Sequence, residues 1–176
     1  MRRKRVGVLA LVGVLGAGCA GPLVEEAGGW RHPKQGWAIG RPPDGSGEPW
    51  RRVELEGALL AFEHPDRALM TMQSRCGRPV ATPDVMARHL LIGIRPRDLL
   101  ESRPIEVDGR SGWQQTFAVH RDAGDVRIET ITLVAGGCTL DWILAGAEAG
   151  SPAEADFAAW WQSFRLDAAR YAGPSG

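Results

Sequence analysis

Two alternating runs that each carry a cysteine constrain this chain more than any other feature. Met70, Met72, Ser74 and Cys76 fall on one side of the first run. Cys138, Leu140, Trp142 and Leu144 fall on one side of the second. Side chains alternate across a strand, so both thiols point toward one apolar layer. Cys76 and Cys138 are therefore a candidate disulfide, which would stabilise the chain by about 4 kcal/mol on the chain-entropy account. Two buried free thiols are the alternative. No Cys-x-x-Cys occurs, which argues against a redox-active pair.

The third cysteine has a different setting. Arg2, Arg3, Lys4 and Arg5 precede an apolar stretch over residues 6–15, and Gly16, Ala17 and Gly18 lead into Cys19. These are the parts of a secretory signal. The apolar stretch is shorter than the roughly 20 residues that a membrane-spanning helix needs. The segment resembles bacterial lipoprotein precursors, with Gly16 where their cleavage box favours Leu. The resemblance implies cleavage after residue 18, lipidation of Cys19 and membrane attachment through several acyl chains, which hold a protein stably. It places the chain in the bacterial cell envelope, facing the periplasm. Ala20 and Gly21 after the cysteine favour the outer membrane over the inner. Plain secretion is the alternative reading. In either case the compartment is oxidising, where a Cys76–Cys138 bridge would persist.

Removing the four basic residues of the signal leaves 17 basic against 21 acidic residues, a net charge of about −4. A nucleic-acid binder needs a basic face, so no nucleic-acid partner is expected. The 44% apolar content supports a folded core.

Turn and cap signals divide the remainder. Residues 19–35, rich in Gly and small side chains, read as a lipidated N-terminus with a flexible tether. A single domain is expected over residues 36–167, and a disordered tail over 168–176. Within the domain, a short strand at Trp37 precedes a Pro- and Gly-rich loop over residues 41–47. Three strand-like runs between Trp50 and Cys76, separated by Glu56-Gly57 and Pro65-Asp66, predict a meander. Thr82-Pro83-Asp84 starts a helix with Val85, Met86, His89 and Leu90, extending to Ile92, as its buried stripe. Hairpins follow between Pro104 and Ala145. Ser151-Pro152-Ala153-Glu154 opens a second helix with Phe157, Trp160, Trp161 and Phe164 on one face. The order predicts an α+β domain whose largely antiparallel sheet is covered by helices.

This succession resembles the PsbP-like fold, an α-β-α sandwich. The resemblance rests on the Trp37 strand, the meander, the Thr82 helix, the hairpins and the closing helix running into Ser163-Phe164-Arg165-Leu166. It implies a non-enzymatic accessory or binding protein.

The residues with chemical potential are scattered. His89 reads as a packed residue on a helix stripe. His64 and His120 sit beside turns, and no histidine or cysteine spacing suits a metal, so no metal and no cofactor are expected. Ser111 lies between glycines but without the spacing of a hydrolase elbow. Glu129 and Asp141 alternate with core positions and read as outward-facing. No convergent acid–base set emerges, and an enzyme is not expected. Of the seven tryptophans, Trp30, Trp37 and Trp50 lie near the tether and first loop, where they could form an exposed partner surface. The leading expectation is a lipid-anchored accessory protein that binds another envelope protein. The alternative is a carrier of a small hydrophobic ligand, with an apolar pocket between the sheet and the last helix.

Overall fold

Two-residue turns set the direction of the large sheet. Asp108 and Gly109 both have positive φ (49° and 72°), as do Gly136 and Gly137 (57° and 73°). Such turns match the natural twist of adjacent antiparallel strands. The computed structural model describes residues 23–45, 47–77 and 81–167. The elements in chain order are β1 (Val24–Glu26), β2 (Gly29–His32), β3 (Trp37–Gly40), β4 (Arg51–Arg52), β5 (Leu60–Glu63), β6 (Leu69–Cys76) and α1 (Pro83–Leu90). Then follow β7 (Arg97–Val107), β8 (Arg110–Val119), β9 (Val126–Ala135), β10 (Cys138–Ala145), α2 (Pro152–Gln162) and β11 (Arg165–Leu166).

Among the described residues the strands form two sheets. The larger runs β4-β5-β6-β10-β9-β8-β7 and the smaller β1-β2-β3-β11. Every pairing is antiparallel. α2 and the smaller sheet cover one face of the larger sheet, and α1 packs on β8 and β9 at the other. This is the α+β domain with a sheet between helical layers that the element order predicts.

The main core lies under α2. Met70, Met72, Leu140, Trp142, Phe157, Trp160 and Phe164 are all fully buried. Trp142 meets Phe164 edge-on at 4.9 Å, and Phe62 meets Trp160 edge-on at 5.3 Å. Ser151 caps α2 by accepting a hydrogen bond from the Glu154 amide. Glu154 accepts in turn from the Gly150 amide at 2.5 Å, one residue outside the position a capping box would use. Ser163 Oγ donates to the Trp160 carbonyl and accepts from the Gly40 amide, so the end of α2 is bonded to the smaller sheet.

Three sequence expectations change. Residues 23–35 are not a free tether. β1 and β2 pair as a hairpin and β2 pairs with β3, because Trp30 and His32 alternate inward while Arg31 points out. The stripe of α1 is rotated: Ala87 and the following Leu91 are buried, while His89 and Ile92 are exposed. The small Ala87 side chain gives close approach to the sheet, and Val85 and Met86 sit half-buried at its margin. The run from Trp50 has strand register only at Arg51 and Arg52, with one further bond from the Val53 amide to the Ala61 carbonyl at 3.0 Å, and Leu55 is exposed. The signal segment, Cys19 and the tail over 168–176 lie outside the described residues.

Candidate functional site

The proposed tryptophan surface does not exist as an exposed face. Trp30, Trp37 and Trp50 are 3%, 2% and 8% exposed. The cause is the extra hairpin: with residues 24–40 folded into the smaller sheet, Trp30 and Trp37 point into the core. Trp30 contacts Phe62 at 5.2 Å, and Trp37 contacts Phe164 at 5.9 Å. Trp50 stacks on buried His64 and donates to Asp156 Oδ2 at 3.0 Å. Two arginines close the outer side of Trp30, with the Arg41 and Arg52 guanidiniums 5.1 and 5.6 Å from its ring centroid.

The cysteines meet as their strand parity requires. Cys76 and Cys138 are direct partners in the β6–β10 register and form a disulfide between the end of β6 and the start of β10.

The space proposed for an apolar ligand is occupied by protein. The fully buried Trp142, Phe157, Trp160 and Phe164 fill the layer between the sheet and α2. Open grooves occur instead beside β4 and β5, one lined by Val53, Leu55 and Leu59 and one by Trp50, Glu63 and His64.

Both carboxylates read as outward-facing are buried, on opposite faces of the sheet. Asp141 is fully buried on the α1 side. It accepts from Thr132 Oγ1 at 2.8 Å and from Arg75 Nη2 at 2.9 Å. Burial raises its pKa; the Arg75 charge and the Thr132 hydrogen bond oppose the rise. Thr130, Thr139 and Gln115 surround it in the sheet register as buried polar neighbours. Glu129 lies on the α2 side and accepts from Gln114 Nε2 at 2.7 Å. Arg127 bridges toward it and toward Glu154, at 3.7 and 2.6 Å. Burial again raises the Glu129 pKa, with Glu154 and Glu101 adding to the rise and Gln114 and Arg127 opposing it. The sheet separates the two carboxylates, so they cannot converge on one reacting atom as an acid–base pair must.

The histidines are dispersed. His32 is buried and accepts from the Gln35 amide through Nδ1, and desolvation lowers its pKa. His120 lies at the surface with Asp125 Oδ1 2.8 Å from Nδ1 and Asp98 Oδ2 3.0 Å from Nε2. The hydrogen bond to Asp125 is the larger cause of its raised pKa, and that to Asp98 the next. Among the described residues no three His, Cys, Asp or Glu side chains are placed to hold a metal.

The most distinctive surface is the edge strand β7, which sequence reading recognised only from Pro104 onward. It is 11 residues long and pairs only with β8 among the described strands. Leu99 and Leu100 are 54% and 59% exposed, and Ile92 in the preceding turn is 67% exposed. These are three of the five exposed large apolar side chains among the described residues. A register shift between Leu99 and Glu101 leaves Leu100 without a cross-strand partner. That bulge, flanking charges at Arg97, Asp98, Glu101 and Arg103, and Pro104 are devices that restrain indiscriminate pairing at an open edge. The bulge also breaks the alternation of Leu99-Leu100, which removed the strand signal from the sequence.

Solved structures share this architecture. The solution structure of cyanobacterial PsbP (CyanoP) from Synechocystis sp. PCC 6803 matches with a TM-score of 0.56 at 16% identity, over 89% of this chain and 98% of that one. The fold is PsbP-like. LpqN of Mycobacterium tuberculosis, a protein involved in cell envelope biogenesis, matches with a TM-score of 0.52 at 14% identity, over 74% of this chain and 83% of that one. A Bacteroides thetaiotaomicron VPI-5482 protein matches at 0.51 and 13% identity, over 74% of this chain but only 44% of its own. No protein-family model matches the chain, and no curated protein matches it in sequence.

Proposed function

We propose that this chain is a lipid-anchored, non-enzymatic accessory protein of the bacterial cell envelope, and that it binds another envelope protein along β7. The observation that carries the reading is the long, open edge strand with Leu99 and Leu100 at its bulge. An edge of this kind binds an extended segment of a partner through main-chain hydrogen bonds, while adjacent side chains supply specificity. The lipobox-like approach to Cys19 supports the anchor. The fold shared with LpqN, a protein involved in cell envelope biogenesis, supports the compartment. The opposed placement of Asp141 and Glu129 supports binding over catalysis.

Two experiments test the reading separately. Metabolic labelling with a fatty-acid analogue should mark the wild type and not Cys19→Ser. Equal labelling of both removes the anchor. Affinity isolation from solubilised envelope should recover one defined protein with the wild type and lose it with Leu99→Asp/Leu100→Asp. Recovery unchanged by that double variant removes β7 as the binding edge.

A further inference from the structure

We infer that the anchor seats one corner of the domain, built from β1 and β4, directly on phospholipid headgroups and turns the β7 edge away from the bilayer. The inference rests on the proposed lipidation of Cys19 and goes beyond it by fixing which surface meets the membrane.

A tether over residues 19–35 would let the domain move freely above the membrane. Among the described residues the first strand begins at Val24. Five residue steps separate that strand from Cys19, and a fully extended chain covers at most about 18 Å in that distance. β1 is the outer strand of the smaller sheet, and all three of its side chains are exposed. The strand nearest the anchor is therefore also the strand free to face a bilayer.

The surface around β1 suits phosphate headgroups. Glu25 accepts from Arg41 at 2.7 Å and Arg52 at 3.2 Å, and Glu26 accepts from Arg31 at 2.8 Å. Arg51, next to Arg52 on β4, pairs with Glu63 at 2.7 Å. Arg31, Arg41 and Arg52 thus share one corner with Glu25 and Glu26, while Arg51 and Glu63 lie on the opposite face of the same sheet edge. Each guanidinium stays about half exposed or more. The Trp30 ring and the carboxylates hold Arg41 and Arg52 in place, leaving their outer edges for phosphate oxygens, which a planar guanidinium binds in bidentate fashion.

The same corner fixes the far side. β4 is one edge of the larger sheet and β7 the other, six strand spacings away. At about 4.8 Å per spacing that is about 29 Å. Seating the β4 corner on the headgroups therefore presents β7 to the periplasmic space.

The test uses the full-length lipidated protein in vesicles of phosphatidylethanolamine and phosphatidylglycerol containing a headgroup spin-labelled lipid. A fluorophore is placed at Ala27, in the β1–β2 turn, or at Leu100, through a clickable amino acid that spares the cysteines. Quenching at position 27 should exceed that at position 100 by at least about threefold, given the short reach of the linker against the width of the sheet. Arg41→Gln/Arg52→Gln should reduce the quenching at 27 while vesicle attachment persists. Equal quenching at the two positions, or stronger quenching at 100, overturns the orientation and leaves lipidation standing. A wild type that carries no acyl group and stays off the vesicles overturns both.

Discussion

Removing the Cys76–Cys138 bridge gives a large stability change whose size follows from the loop that the bridge closes. The bridge joins directly opposed residues on β6 and β10, and its sequence separation of 62 encloses α1, β7, β8 and β9. In the chain-entropy account, closing a loop of that length removes enough freedom from the unfolded chain to stabilise the folded state by about 4 kcal/mol. Unfolding a domain of this size carries an entropy of about 0.3 kcal/mol per kelvin, so Cys76→Ala/Cys138→Ala should lower Tm by about 13 °C. With a urea slope of about 2 kcal/mol per molar, the midpoint should fall by about 2 M. Equilibrium urea unfolding of wild type and double variant, monitored by tryptophan fluorescence, measures the difference. Reductant should move the wild type to the midpoint of the variant and leave the variant unchanged. A double variant within about 1 kcal/mol of wild type would refute the reasoning, because the loop constraint would then be absent from the unfolded chain.

Three further outcomes are expected. Burial raises the Asp141 pKa above its ordinary 3.8, so its contribution to stability is greatest below that value and is lost as pH rises through the folded-state pKa. Asp141→Asn should flatten that decline in urea titrations run upward from pH 3.8, and an unchanged slope would contradict the assignment. His120 runs the other way in cause: its pKa is raised above 6.5 by Asp125 and Asp98, so its stabilisation is full below 6.5 and is lost as pH rises through the raised value. His120→Gln should remove this alkaline decline, which an NMR titration of the imidazole can follow directly. Trp160→Ala should cost about 3–5 kcal/mol, since Trp160 is fully buried against Phe62 and its indole donates to the Gly40 carbonyl, and a loss under about 1 kcal/mol would contradict the packing.

The fold was legible where local chemistry was strong. The Ser151 cap, the glycine turns and the parity of Cys76 and Cys138 each point to one local geometry, and the structure has them. Legibility failed where tertiary context decides. The outward reading of Glu129 overlooks that it shares the parity of Ile131 and Leu133 on the α2 side, and the outward reading of Asp141 assumes a sheet covered on one face. In a sheet covered on both faces, the second parity is buried as well, and the threonines at 130 and 132 are the matching signal. Residues 24–32 hid their strands behind glycines and charges, although Trp30 and His32 alternate around Arg31. Folding that hairpin also buries Trp30 and Trp37, while Trp50 is buried against His64 with its indole bonded to Asp156. The first half of β7 carries no alternating signal, because two leucines stand in succession at its bulge.

The central claim is that β7 binds an envelope partner while Cys19 holds the chain at the membrane. Site-specific photo-cross-linking in intact cells tests it most directly, with the cross-linking amino acid at Leu100 on β7 or at Leu55, an exposed leucine beside the opposite edge. The account predicts one discrete adduct from position 100, absent from position 55 and lost in Cys19→Ser. The same adducts from both positions, or none from position 100 across growth conditions, would contradict it.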